Sequence, residues 1–250
     1  GNDSGPRADG AAVLSRCLAA MRNADLAAAE HLACRLIRDA ADWVEAWHLA
    51  GVVAGRQGLH DLAETRFARA LDLQSDHIPT LIQMGHALCA RARPADALKH
   101  FDRALSREPT RLDALHGRSH ALADLGRAEE AVAAYERALV VSPHAADILI
   151  GKGNVLTTLE RFDEALASYD LVLATAQLPD EADTLAHAHT FRADTLRQMD
   201  RFEDAVDAYD RALALKPHYC EALLGRGEAL TNLHEYDEAL ATFDGALRMH

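Results

Sequence analysis

The sequence predicts an all-α fold, an array of paired helices repeated along the chain, on three observations. First, alanines recur at Ala29, Ala63, Ala97, Ala131, Ala165, Ala205 and Ala239, with spacings of 34, 34, 34, 34, 40 and 34. One period with a single six-residue insertion marks an internal repeat. Second, apolar residues in each half-period recur at i, i+3, i+4 and i+7, the spacing of one helix face. Third, hydrophobic residues make up 49% of the chain but aromatics only 5%, so the core must close through small side chains.

Further columns keep the same register. Four residues after each alanine stand Ala33, Phe67, Phe101, Tyr135, Tyr169, Tyr209 and Phe243. Twelve residues before it stand Cys17, Gly51, Gly85, Ser119, Gly153, Ala193 and Gly227, all small. The small column allows the two helices of a repeat to cross closely, and the aromatic column fills the seam to the next repeat. Two helices fit in 34 residues, joined by a turn at Gly58, Gly126 or their equivalents. Pro109, Pro143 and Pro217 stop the second helix. Asp163, Glu164, Glu203 and Asp204 sit at its start, where they suit its positive end.

Seven repeats follow, beginning near Gly10, Val44, Ile78, Leu112, Ala146, Ala186 and Cys220. Residues 1–9 read as a disordered tail or tag remnant. The insertion falls at 180–185. Pro179-Asp180-Glu181 resembles a helix start, which predicts that the first helix of the sixth repeat begins early, near Pro179.

The net charge of −13 disfavours nucleic acid and anionic membranes, since no Lys/Arg block offers phosphate contacts. The charge serves solubility or a preference for basic partners. No apolar run approaches the roughly 20 residues of a membrane span, and no secretory signal is visible. Cys17, Cys34, Cys89 and Cys220 are scattered without a disulfide framework, so a reducing, cytoplasmic setting is expected. Cys17 and Cys34 read as packing residues, with Cys89 facing the binding surface.

No catalytic motif emerges. Gly151-Lys152-Gly153 and Gly225-Arg226-Gly227 look like phosphate-loop fragments, but they fall in the repeat register inside a helix and read as packing residues. No H-E-x-x-H, G-x-S-x-G or C-x-x-C is present. We therefore expect no catalysis within these residues, no cofactor and no metal. His116 and His120 share a helix face, and His86 and His120 hold one repeat position. These histidines are readable as polar contact surface, a pH-sensitive surface or metal ligands.

The columns together resemble the tetratricopeptide repeat family over residues 10 to 250, with a divergent first repeat. The resemblance implies a right-handed superhelical solenoid of about seven antiparallel helix pairs. It also implies that first helices line a concave groove for an extended peptide or partner protein. Mapped onto this chain, the groove comprises His48, Val52, Arg56, His86, His116, His120 and Asp124, then Asn154, Thr158, Asp194, Gln198, Glu228 and Asn232. Histidine dominates one end and carboxylate or amide the other, which suits a peptide with basic groups at the second. The pairs at groove positions five and nine, such as His48/Val52 and His116/His120, lack the Lys and Asn of a carboxylate clamp. An asparagine ladder is absent too. The expected function is a protein-interaction scaffold. The alternative is the repeat portion of a larger enzyme, such as a bacterial glycosyltransferase. Leu240, Phe243 and Leu247 would lie uncovered at the C-terminal end, a third possibility being self-association there.

Overall fold

The structure is a computed structural model, and it describes residues 8–175 and 182–248. Every regular element among the described residues is an α-helix. The first helices of the repeats are α1 (Ala8–Arg22), α3 (Val44–Arg56), α5 (Ile78–Ala90), α7 (Leu112–Asp124), α9 (Ala146–Thr158), α11 (Ala182–Gln198) and α13 (Cys220–Asn232). The second helices are α2 (Leu26–Asp39), α4 (His60–Leu73), α6 (Pro94–Arg107), α8 (Ala128–Val141), α10 (Phe162–Thr175), α12 (Phe202–Leu215) and α14 (Tyr236–Leu247). The chain divides into two compact halves, Gly1–Leu125 and Gly126–His250.

Local chemistry sets the helix boundaries. Every first helix is followed by one residue at positive φ: Ala24, Gly58, Ala92, Gly126, Glu160, Asp200 or His234. That left-handed residue lets the next amide reach a carbonyl five residues back, as in Leu59 to Ala54 at 3.0 Å and Arg161 to Leu156 at 2.9 Å. Gly58 and Gly126 adopt φ of 75° and 71° without steric cost. The other five repeats hold the same conformation with a side chain, which the glycine signal alone does not reveal. Second helices open with an arginine pairing an acid three residues on: Arg93 with Asp96, Arg127 with Glu130, Arg161 with Glu164 and Arg201 with Asp204. Expected from the helix dipole, these acids also anchor the turn.

The core is a series of rings set against glycines. Phe67, Phe101, Tyr135, Tyr169 and Tyr209 are among the largest fully buried side chains. A Cβ on Gly85 would lie 2.6 Å from Cζ of Phe101, and one on Gly153 2.5 Å from Cε1 of Tyr169. Each of those glycines belongs to the ring's own repeat. The next first helix closes the other side: a Cβ on Gly151 would meet Oη of Tyr135 at 2.7 Å, and Gly117 and Gly225 meet Phe101 and Tyr209 likewise. An ion pair ties the same seam beside four of these rings: Arg118 to Asp102 at 2.7 Å, Lys152 to Glu136 at 3.0 Å, Arg192 to Asp170 at 2.7 Å, Arg226 to Asp210 at 2.6 Å. Each acid directly follows the aromatic residue in sequence.

Helix α11 has 17 residues where the other first helices from α3 onward have 13. It extends one turn, roughly 6 Å, ahead of the Ala186 register. The expected start near Pro179 lies outside the described residues, as does most of the expected tail at 1–9.

Candidate functional site

The first-helix faces of the N-terminal half carry seven of the expected groove residues. On α3, His48 is half-buried, Val52 half-buried and Arg56 exposed; His86 on α5 is exposed on one side. His48 is fixed by Thr80: its Nδ1 lies 3.0 Å from Thr80 Oγ1, which also lies 2.6 Å from His77 Nδ1. The two imidazoles meet edge-on, with centroids 5.4 Å apart. Burial pushes the His48 pKa down to about 4, and the neighbouring His77 adds to this. The His86 ring stands edge-on to Phe101 at 5.2 Å. Desolvation against that ring lowers its pKa, although part of the imidazole faces solvent. Both are therefore neutral near pH 7.

Between α3 and α5 lies a cavity of about 290 Å³. Buried Phe67 and Ala87 line its inner side, and Val52, Gly55, Arg56, His60, Gln83, His86 and Ala90 surround them. It unites three of the expected residues, Val52, Arg56 and His86. Gln83 and His60 were not among the expected site residues. Gln83 stands at a repeat position held by Leu49, Phe191 and three glycines, Gly117, Gly151 and Gly225, and it is the polar amide of that column. Arg56 donates from Nη1 to the Met21 carbonyl at 3.3 Å, which aims its guanidinium. Farther along, the His116 and His120 rings are in contact, Nε2 to Nε2 at 3.0 Å, and Asp124 is exposed one turn on.

A larger open depression of about 590 Å³ lies along α4, lined by Asp61, Glu64, Thr65, Arg69, Asp72 and Arg91. Its charges are matched internally. Arg91 pairs with Asp61 at 2.6 Å and with Glu64, and Arg69 reaches Asp72 at 3.8 Å. A ligand there would have to compete with those pairs.

In the C-terminal half, two expected groove residues serve the core as well as the surface. Tyr169 Oη donates to Asn154 Oδ1 at 2.7 Å, and Tyr209 Oη donates to Asp194 Oδ1. Burial drives the Tyr169 phenol up to about 12. Desolvation likewise raises the Asp194 pKa, against the opposing bond from Tyr209. Asp194 continues outward to Arg197 at 3.9 Å, and Arg197 pairs with Glu228 at 3.1 Å. Asn232 donates to the Glu228 carbonyl at 2.9 Å, and Thr158 to the Asn154 carbonyl at 3.1 Å. Gln198 is exposed. Asn154 and Asp194 occupy one repeat position, fifteen residues before the ring they serve. Val52, His86 and Glu228 hold that position where the ring is phenylalanine.

Among the described residues no group of three or more His, Cys, Asp or Glu side chains is placed to hold a metal. Cys17 is buried and donates to the Ala29 carbonyl at 3.3 Å, as expected of a packing residue. Cys34 differs from expectation. It is exposed, its thiol donating to Glu30 at 3.2 Å and receiving Arg66 at 3.6 Å. Arg66 crosses there from α4, where its guanidinium is nearly buried and donates to Glu30 at 2.8 Å and to the Ala50 carbonyl at 2.9 Å. Cys89 is half-buried, and burial raises its thiol to about 11. No helix among the described residues is long and apolar enough to cross a membrane.

No curated protein sequence matches the chain. Among solved structures, a tetratricopeptide repeat protein from Parabacteroides merdae ATCC 43184 is 17% identical. The match covers 96% of this chain and 93% of that one, with a TM-score of 0.76. PilW, a widely conserved type IV pilus biogenesis factor, is 18% identical over 87% of this chain and 98% of that one, with a TM-score of 0.77. YrrB, described as a TPR protein with an unusual peptide-binding site, is 18% identical over 76% of this chain and 95% of that one, TM-score 0.58. Family models described as tetratricopeptide repeat match residues 82–139 and 192–250, and residues 144–217, together more than half of the sequence. With its repeated helix pairs and these matches, the chain belongs to the tetratricopeptide repeat family.

Proposed function

We propose that this chain is a protein-interaction scaffold that binds an extended segment of another polypeptide on its first-helix faces. The anchor is the cavity between α3 and α5. Its volume of about 290 Å³ falls just below the roughly 300–1,000 Å³ typical of small-molecule sites, and suits one inserted side chain. An apolar floor with Arg56, Gln83 and His86 on the rim favours an aliphatic stem ending in a carboxylate or amide. With His86 held neutral, Arg56 supplies the charge at that rim. The C-terminal half presents Asp194 and Glu228, with Arg197 between them, and there a basic residue is the complementary ligand. Each half thus selects its own side chains. Membership of a repeat family with a peptide-binding member such as YrrB supports the same reading.

Selection from a random peptide library displayed against the immobilised chain tests the proposal. Enriched peptides should carry Glu, Asp or Gln flanked by apolar residues, and Arg56→Glu should weaken them at least tenfold. Glu228→Lys should weaken peptides selected for basic residues. If both variants capture the selected peptides as well as the parent does, the reading fails.

A further inference from the structure

Helix α14 packs on α13 and leaves its far side bare: Leu240 is 63% and Leu247 71% exposed. Their repeat equivalents in α12 are Val206 and Leu213, which pack into a core cluster with Tyr209, Ala222 and Ala229. That interior seam consists of Val206, Tyr209, Asp210 and Leu213 on α12 facing Ala222, Gly225, Arg226 and Ala229 on α13. Its ring enters at Gly225, and its ion pair is Arg226 to Asp210 at 2.6 Å.

The two ends of the described array carry the two halves of this same seam. On α14 the four positions are Leu240, Phe243, Asp244 and Leu247; on α1 they are Ala12, Ser15, Arg16 and Ala19. Ala12, Ser15 and Arg16 are exposed, as are Leu240, Asp244 and Leu247. Neither Arg16 nor Asp244 has an ion-pair partner among the described residues, whereas Arg118, Lys152, Arg192 and Arg226 at the Arg16 position are all paired. Apolar knobs, small receiving residues and opposite charges therefore correspond, with Ser15 standing where Gly225 admits the ring.

We propose that the α14 face of one copy docks on the α1 face of a second copy, head to tail, repeating the interior seam with an Arg16–Asp244 ion pair between copies. The contact is heterologous, so a free face remains at each end of a dimer and association continues with concentration. The proposal stands independently of the peptide-binding reading, because it uses neither the cavity between α3 and α5 nor Asp194 and Glu228.

Sedimentation velocity of the full 250-residue chain across a hundredfold concentration range tests it. The parent should shift from monomer to dimer and larger species. Leu240→Glu (blocked tail) and Ser15→Trp (blocked head) should each be monomeric alone, with unchanged helical circular dichroism. Mixed together they should form a dimer and nothing larger, since one good head meets one good tail. Arg16→Asp and Asp244→Arg should each weaken association at least tenfold, and the double exchange in one chain should restore it. A strict monomer at every concentration overturns the proposal, as it would if another partner or further chain covers the α14 face. Dimers abolished by Leu240→Glu but indifferent to Ser15→Trp also overturn it, because they mean tail-to-tail contact.

Discussion

Replacing Gly85 by alanine adds one methyl to α5 at a position where three ring atoms of Phe101 would lie 2.6 to 2.9 Å from the new Cβ. The ring cannot retreat, because Gly117 on α7 approaches its other side, where a Cβ would meet Cζ at 2.5 Å. Overpacking of this kind costs about 1–3 kcal/mol. Against it stands the helix propensity of alanine over glycine, about 1 kcal/mol in favour of the variant. The net expectation is a destabilisation of up to about 2 kcal/mol. Gly55→Ala is the matched control: it is also helical, but its nearest neighbour is the Ala63 methyl at 4.0 Å. There the propensity term stands alone, and the variant should be more stable by about 0.5–1 kcal/mol. Urea unfolding followed by circular dichroism gives the order of the three proteins. Amide exchange in α5 and α6 gives the local effect, since a repeat array need not unfold in one step. Phe101→Leu should cost less in the Gly85→Ala background than in the parent. Equal stability of Gly85→Ala and Gly55→Ala, or an unchanged cost of Phe101→Leu, would refute the ring-and-glycine account of the seam.

The left-handed helix stops give a second pair of tests. Ala92→Gly should stabilise by about 0.5–1 kcal/mol and Gly126→Ala should destabilise by about as much, measured by thermal unfolding, since no contact within 4 Å of Gly126 interferes. Arg66→Met should cost about 2–4 kcal/mol, because Glu30 and the Ala50 carbonyl lose their buried partner; Glu30→Gln should cost less. Stability should also fall on acidification from pH 6.5 to about 4. His48 titrates near 4 when folded and near 6.5 when unfolded, so in this window the unfolded chain binds the extra proton. The loss from His48 alone amounts to about 3 kcal/mol at most, and His77, His86, His100 and His189 shift in the same direction. His48→Gln should flatten the curve of denaturation midpoint against pH; a curve as steep as the parent's would contradict the assignment.

The repeat was legible because each seam uses the same few side chains, so one register error would have broken every column at once. The ring and small columns of the sequence are the buried seam, and Pro109, Pro143 and Pro217 each stand two residues beyond the helix they follow. Less was legible where one position does two jobs. Asn154 and Asp194 look like exposed polar residues on a first helix, but each accepts the hydroxyl of a tyrosine fifteen residues away. In these two repeats the tyrosine of the ring column therefore has its acceptor at that earlier position. Arg66 was hidden for a similar reason. Its column is otherwise filled by buried or half-buried uncharged residues such as Leu32, Ala134 and Ala208, and only Glu30 from the preceding repeat explains a cation there. The left-handed residues Glu160, Asp200 and His234 gave no glycine to read. The cavity is lined by Gln83, at a position that varies among the repeats (Leu49, Gly117, Phe191), so periodicity gave no signal there.

Hydrogen–deuterium exchange of the chain with and without a saturating library-selected acidic peptide tests the central claim most directly. Slowed exchange should appear in α3 and α5, around Val52, Arg56, Gln83 and His86. The outer side of α4, with Asp61, Arg69 and Asp72, should exchange unchanged. Protection confined to α4, or to α14 around Leu240, with α3 and α5 unaffected, would contradict the account.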